Sequence, residues 1–171
     1  REKVGHHIYG EQWANNIKQF LFDKDLIDRP LHIISANLHS VMNIFYSAIL
    51  KTEIPTEDLI AVVQELSLER NKHLCKKIRK HALRNGMYEI EDVSGTNLSV
   101  QLFDTALLDA EKLPKELCAD VEKIKATQPV IFVMDYAFGE QAYETMDELL
   151  KPFEHEDQKI KLNVESISIM G

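Results

Sequence analysis

The sequence predicts an α/β fold, a mainly parallel mixed sheet with flanking helices and a helical insertion, and three observations carry that prediction. Pro129 to Leu150, PVIFVMDYAFGEQAYETMDELL, read as a buried strand, a tight loop and a helix in direct succession. Leu31 to Ala36, LHIISA, read as another strand with a helix almost immediately behind it. Met87 to Val93 and Leu98 to Phe103 flank the turn signal Ser94-Gly95-Thr96-Asn97, the pattern of a β-hairpin. Strands alternating with helices favour parallel pairing through crossovers.

Taken in chain order, residues 1–28 form an amino-terminal helical segment in which Trp13, Ile17, Phe20 and Leu21 recur at helical spacing between Gly10 and Phe22. His6, His7 and Glu11 precede or open it. A third convincing ligand is missing nearby, so no metal centre is expected there. Arg29-Pro30 ends the segment, and LHIISA follows as the first strand. The next helix has Val41, Ile44, Phe45, Ala48 and Ile49 on its apolar face, with Asn37, His39 or Ser40 able to cap it.

Residues 54–86 read as the helical insertion. Thr56 caps its first helix, Glu57 and Asp58 lie in the first turn, and Leu59, Ile60, Val63 and Leu66 face inward. Leu68 to Asn85 continue as a helix with Leu74, Cys75, Ile78, Ala82 and Leu83 inward, and Gly86 supplies a left-handed cap. Seven of the twenty basic residues fall within Arg70 to Arg84, which is either a solvated helix face or a phosphate-binding one.

Pro114 to Lys125 read as a helix presenting Leu117, Cys118, Val121 and Ile124. Val130 to Met134, an unbroken apolar run, suit a central strand covered on both faces. From Glu140 a helix turns Ala142, Met146, Leu149 and Leu150 inward until Pro152 stops it. FEHEDQK reads as a solvated loop, and Leu162 to Met170 as a last strand with Val164, Ile167 and Ile169 on one face.

One domain of 171 residues with a formal net charge of −8 fits a protein that handles small molecules or protein partners, not a general nucleic-acid binder. The two cysteines, Cys75 and Cys118, make neither a disulfide framework nor a zinc motif, and a reducing cytoplasm is expected. No apolar run approaches the roughly twenty residues that span a bilayer, so no membrane partner is expected. The chain begins without Met and stops at Gly171 straight after a strand-like run, so both ends are expected to be cuts within a longer protein.

Ligands of open α/β sheets gather at the carboxyl ends of the strands. Two loops occupy that place. Ser35, Asn37, His39 and Ser40 follow the first strand, and Asp135, Tyr136, Gly139, Glu140 and Gln141 follow the central one. Glycine there lets a ligand approach the backbone, and the free N–H groups of a helix start favour anionic or polar groups. The competing reading is that Asn37 and Ser40 only cap a helix and that Gly139 only makes a tight turn.

With that order of elements, the chain resembles the nucleoside phosphorylase and nucleosidase superfamily, including the AMP nucleosidases. LHIISANLHSV matches the first strand and its ligand loop, MYEIEDVSGTNLSVQLFD the hairpin, and VIFVMDYAFGEQAYETMDELL with VESISIMG the glycine-loop unit. The chain is also similar to a bacterial family of larger proteins. The superfamily resemblance implies a truncated phosphorylase-like fold. It also implies cleavage of the N-glycosidic bond of a purine nucleoside or nucleotide, with phosphate or water as acceptor and no cofactor. It further implies catalytic roles for Asp135, Glu140 and His39, and substrate or phosphate binding by Ser35, Asn37, Ser40, Tyr136, Gly139 and Gln141. The acid that protonates the leaving base lies, in that superfamily, beyond Gly171, and a homo-oligomer is expected. Ser35 and Ala137 stand where the superfamily has glycine, which supports an alternative: a non-catalytic nucleotide-sensing or assembly domain. A third reading assigns nucleic-acid binding to the Arg70 to Arg84 helix.

Overall fold

The computed structural model describes residues 2–170, with side chains from residue 8 onward. Its five-stranded sheet is formed by β1 (Pro30–Ser35), β2 (Met87–Ile90), β3 (Val100–Asp104), β4 (Val130–Met134) and β7 (Asn163–Ile169), in the order β2-β3-β4-β1-β7. The α/β class and the mixed sheet are as expected. Parallel pairing is confined to β4-β1 and β1-β7, while β2-β3 and β3-β4 are antiparallel. The sheet is therefore evenly mixed where a mainly parallel one was expected. The reason is that the hairpin joins the same sheet and brings β3 in as an antiparallel neighbour of the central strand.

Alternation along the strands sends side chains to two separate cores. Leu31, Ile33, Leu102, Val130 and Phe132 meet Trp13, Ile17 and Leu21 of α1 (Glu2–Asp23) and Leu149 of α6 (Gly139–Leu150) on one side. Phe103 and Val133 point the other way. They meet α2 (Leu38–Tyr46), α3 (Leu59–Ser67) and α4 (Lys72–Ala82), so the helical insertion covers the second face.

Gly86 is left-handed at φ +94° but does not cap α4, whose C-cap is right-handed Leu83; it stands in the turn before β2, and a Cβ there would lie 2.6 Å from the Asp104 carbonyl oxygen. Glycine is needed because that backbone is in contact: the Asp104 N–H donates to Gly86 O at 2.7 Å.

Several local expectations are corrected. Asp58, not Thr56, caps α3, accepting from the N–H groups of Ile60 and Ala61; the Thr56 hydroxyl accepts from the Asp58 N–H instead. Packing against the second core buries Val62 and Leu66 of this helix, while Ile60 and Val63 are exposed. Leu83 is exposed because α4 ends at Ala82, and Leu150 is exposed at the last residue of α6. The expected helix at Pro114 to Lys125 is a short 3-10 turn over Lys115–Leu117 followed by α5 (Val121–Thr127). Cys118, left-handed at φ 48° and exposed, breaks it, and Asp120 caps the new start through the Lys123 N–H. FEHEDQK is not a loop but part of a hairpin, β5 (Phe153–His155) with β6 (Gln158–Ile160), anchored by buried Phe153.

The last strand carries a bulge. Leu31 pairs with Val164 but His32 with Ser166, so Glu165 is an extra residue and Val164, Ile167 and Ile169 share a face despite their uneven spacing. His6 and His7 lie on α1, with side chains outside the described residues, and Gly171 also lies outside them. Among the described residues no helix is long and apolar enough to cross a membrane, and no group of three metal-ligating side chains converges.

Candidate functional site

The parallel pair β1/β4 fixes where the two expected ligand loops meet. Ser35 lies opposite Met134, and the Ala36 N–H donates to Met134 O at 3.0 Å, so Asn37 and Asp135 leave the sheet side by side. On the flanks, the Met170 N–H donates to Ser35 O at 2.9 Å and the Asp135 N–H to Ser99 O at 3.1 Å. Ser35, Asn37, Asp135 and Tyr136 are thereby brought together at one end of the sheet.

Each helix that starts there does so differently. Asn37 is extended and its Oδ1 accepts from the His39 N–H at 3.0 Å, so it caps α2, and His39 and Ser40 are exposed on the first turn. Phe138 precedes α6 and offers no side-chain cap, which leaves the first-turn N–H groups of α6 open to another acceptor. Gly139 holds φ +58° with no heavy atom within 4 Å of where a Cβ would be, so the loop faces open space. Tyr136 and Phe138 stack on each other with ring centroids 6.2 Å apart at 26°, and Phe138 is 76% exposed. Tyr143, one turn into α6, is 74% exposed, and Glu140 is exposed.

Gln141 plays a structural part, because its amide donates to Thr96 O at 2.6 Å. That bond ties α6 to the 92–97 loop, a feature the hairpin reading left as a plain turn. Asp92 organises this loop. It accepts from the Ser94 N–H and hydroxyl and from the N–H groups of Gly95 and Asn97. Partial burial pushes the Asp92 carboxyl up, and those bonds outweigh it, so the group lies below its ordinary value. An aspartate two residues before Ser-Gly was the available sequence signal.

A second polar group is assembled from residues scattered along the chain. Arg79 of α4 donates from Nε to Glu89 Oε1 of β2 at 2.9 Å and from Nη2 to Oε2, and the Gln101 amide reaches Glu89 Oε1 at 3.3 Å. His39 sits close enough to act on the Glu89 charge. Among the described residues, Gln101 Oε1, buried in β3, and buried Asn43 Oδ1 on α2 find no donor. A polar residue inside the apolar run of β3 was the only hint.

The Arg79 hydrogen bonds, ahead of the opposing burial, hold the Glu89 carboxyl below its ordinary 4.5. A folded-state value below the unfolded one contributes stability above the unfolded value, lost as pH falls through the folded one. Glu89→Gln is therefore expected to flatten the acid limb of the stability curve below about pH 4.5. Urea unfolding at a series of pH values checks this: equal slopes for the two proteins would refute the pairing.

Hollows lie elsewhere. One of about 320 Å³ is lined by Ser47, Ile54, Val62, Leu113 and Pro114, and another of about 310 Å³ by Lys76, Arg79, Lys80, Leu83 and Arg84. Neither these two nor those beside Tyr46 and beside Lys18 include Asn37, His39, Asp135 or Gly139. At the strand ends Asn37, His39, Ser40, Phe138 and Glu140 are exposed.

Comparison with known proteins gives a match to the family described as "Family of unknown function (DUF6909)", over residues 2–85 and 67–171. No curated protein and no solved structure matches the chain.

Proposed function

We propose that this chain, which belongs to the family of unknown function DUF6909, binds a nucleoside or nucleotide on the surface at the carboxyl ends of β1 and β4. The observation that carries the reading is the exposed Tyr136–Phe138 stack beside two converging loops. An aromatic face in solvent offers a base a stacking partner worth about 1–3 kcal/mol. Beside it, the uncapped start of α6 suits a phosphate, and the exposed His39 and Ser40 suit ribose or phosphate oxygens. Binding without turnover fits side chains as exposed as His39, Phe138 and Glu140 best, because stabilising an oxocarbenium-like transition state draws on donors fixed in a water-excluded site. This is the nucleotide-sensing reading.

A second reading is N-glycosidic cleavage in a longer polypeptide, as the phosphorylase-like resemblance implies. Half-buried Asp135, where the two strands end, favours it as the base that activates water or orients phosphate, and the resemblance adds Glu140 and His39. Chromatographic detection of free base, after incubating the chain and the longest polypeptide that carries it with nucleosides and nucleotides, separates the two readings. Sensing predicts no release by either. Release that is lost in Asp135→Asn would establish cleavage and overturn the sensing reading, and its dependence on phosphate would distinguish phosphorylase from hydrolase.

A further inference from the structure

The outer face of α4 points to a second site, separate from the strand ends. Four of its neighbourhood's cations already have carboxylate partners: Arg70 with Glu65, Lys72 with Glu69, Lys77 with Glu53 and Arg79 with Glu89. Lys76, Lys80 and Arg84 have none among the described residues, and all three are exposed. Lys76 and Lys80 lie one turn apart on α4, about 6 Å along its axis, and Arg84 follows in the turn after the helix and continues their stripe along the same hollow. Like charges at that spacing destabilise a helix by about 0.2–0.5 kcal/mol per pair. The carboxyl-terminal end of the helix dipole offsets this at Lys80 and Arg84 but not at Lys76.

With Arg79 the stripe lines a shallow hollow of about 310 Å³, and Leu83, 43% exposed, lies on its wall. We propose that this hollow docks an acidic protein segment that carries an apolar side chain for Leu83 among its carboxylates. Two observations choose that partner over a nucleic acid. The protein's net charge of −8 opposes a long polyanion, whereas a short acidic segment interacts with the local stripe alone. The hollow's lining has an aliphatic side chain and no aromatic one on which a base would stack.

The test is fluorescence anisotropy of a labelled short glutamate-rich peptide containing two leucines, titrated with the whole chain at low salt. A serine-for-leucine peptide and a single-stranded oligonucleotide of equal charge run alongside. The peptide is expected to bind and to weaken as salt rises. The combined Lys76→Glu, Lys80→Glu and Arg84→Glu variant should lose roughly 10- to 100-fold in affinity. Leu83→Ser in the protein, or serine for leucine in the peptide, should cost roughly fivefold. Thermal melts verify folding, and the single variant Lys80→Glu, expected to lose roughly threefold, serves if the triple one does not fold. Peptide binding untouched by Lys80→Glu, or no peptide binding at low salt, overturns the proposal. An oligonucleotide that binds as tightly as the peptide and ignores Leu83→Ser also overturns it, in favour of a nucleic-acid partner.

Discussion

Trp13→Ala is expected to destabilise the chain by about 3–5 kcal/mol, the range for truncating a large buried aromatic. Trp13 is buried on the first core face, edge-on to Phe132 with centroids 6.2 Å apart, and its Nε1–H donates to Leu98 O at 3.0 Å. Truncation removes the ring, opens a cavity beneath the central strand and orphans a buried carbonyl. Trp13→Phe keeps most of the volume and should cost about 1–2 kcal/mol, mainly the hydrogen bond. Leu98 directly follows the Asp92-organised loop, and Gln141 ties that loop to α6. The same substitution is therefore expected to loosen the proposed ligand surface. Urea unfolding gives the cost, and a loss under about 1 kcal/mol for Trp13→Ala would contradict the packing described.

Arg29→Ala follows with an expected loss of about 3 kcal/mol, the low end for breaking a buried ion pair, since a fifth of the Arg29 side chain remains in solvent. Its guanidinium joins three segments: Nε donates to Gln128 O at 2.6 Å and Nη2 to Asp104 Oδ1 at 2.7 Å. Asp104 is 8% exposed, so removing the arginine leaves a buried carboxylate with the Ala106 N–H as its remaining donor. Most of the cost lies in that stranded charge. Adding Asp104→Asn to Arg29→Ala should recover part of the loss, and a double variant less stable than the sum of the singles would contradict the explanation.

The elements that could be read from the sequence are those whose burial is decided by their own pattern. The apolar run VIFVM is the central strand, LHIISA is its parallel neighbour, and the segments around Ser94 to Asn97 are antiparallel. The face shared by Val164, Ile167 and Ile169 was also legible, although the bulge that produces it was not. Helix phase was harder. Val62 and not Val63 is the buried valine of α3, because the side of a helix that meets the core is settled by what it packs against, and one left-handed residue at Cys118 divides an otherwise continuous helical pattern. At the candidate site, Asn37, Asp135 and Gly139 could be named because each follows a recognisable strand. Arg79, Glu89 and Gln101 meet only through the fold, and periodicity along one segment carries no record of such a meeting.

Glu148 shows the same limit. Charge alone puts it on the outer face of α6, yet it is buried against α1, where its carbonyl accepts from Lys18 Nζ at 2.6 Å and its carboxylate from Lys151. Burial pushes the Lys18 ammonium below its ordinary value, with the Glu148 charge opposing the shift.

Isothermal titration of the chain with AMP and adenosine, repeated on the Tyr136→Ala/Phe138→Ala variant, tests the ligand surface most directly. Both side chains are exposed, so the fold should survive their removal. Saturable binding that falls by roughly tenfold or more in the variant, with AMP bound more tightly than adenosine, is the predicted result. No heat from either ligand with a folded chain, or binding indifferent to the loss of the aromatic pair, would contradict the placement of a nucleotide at the ends of β1 and β4.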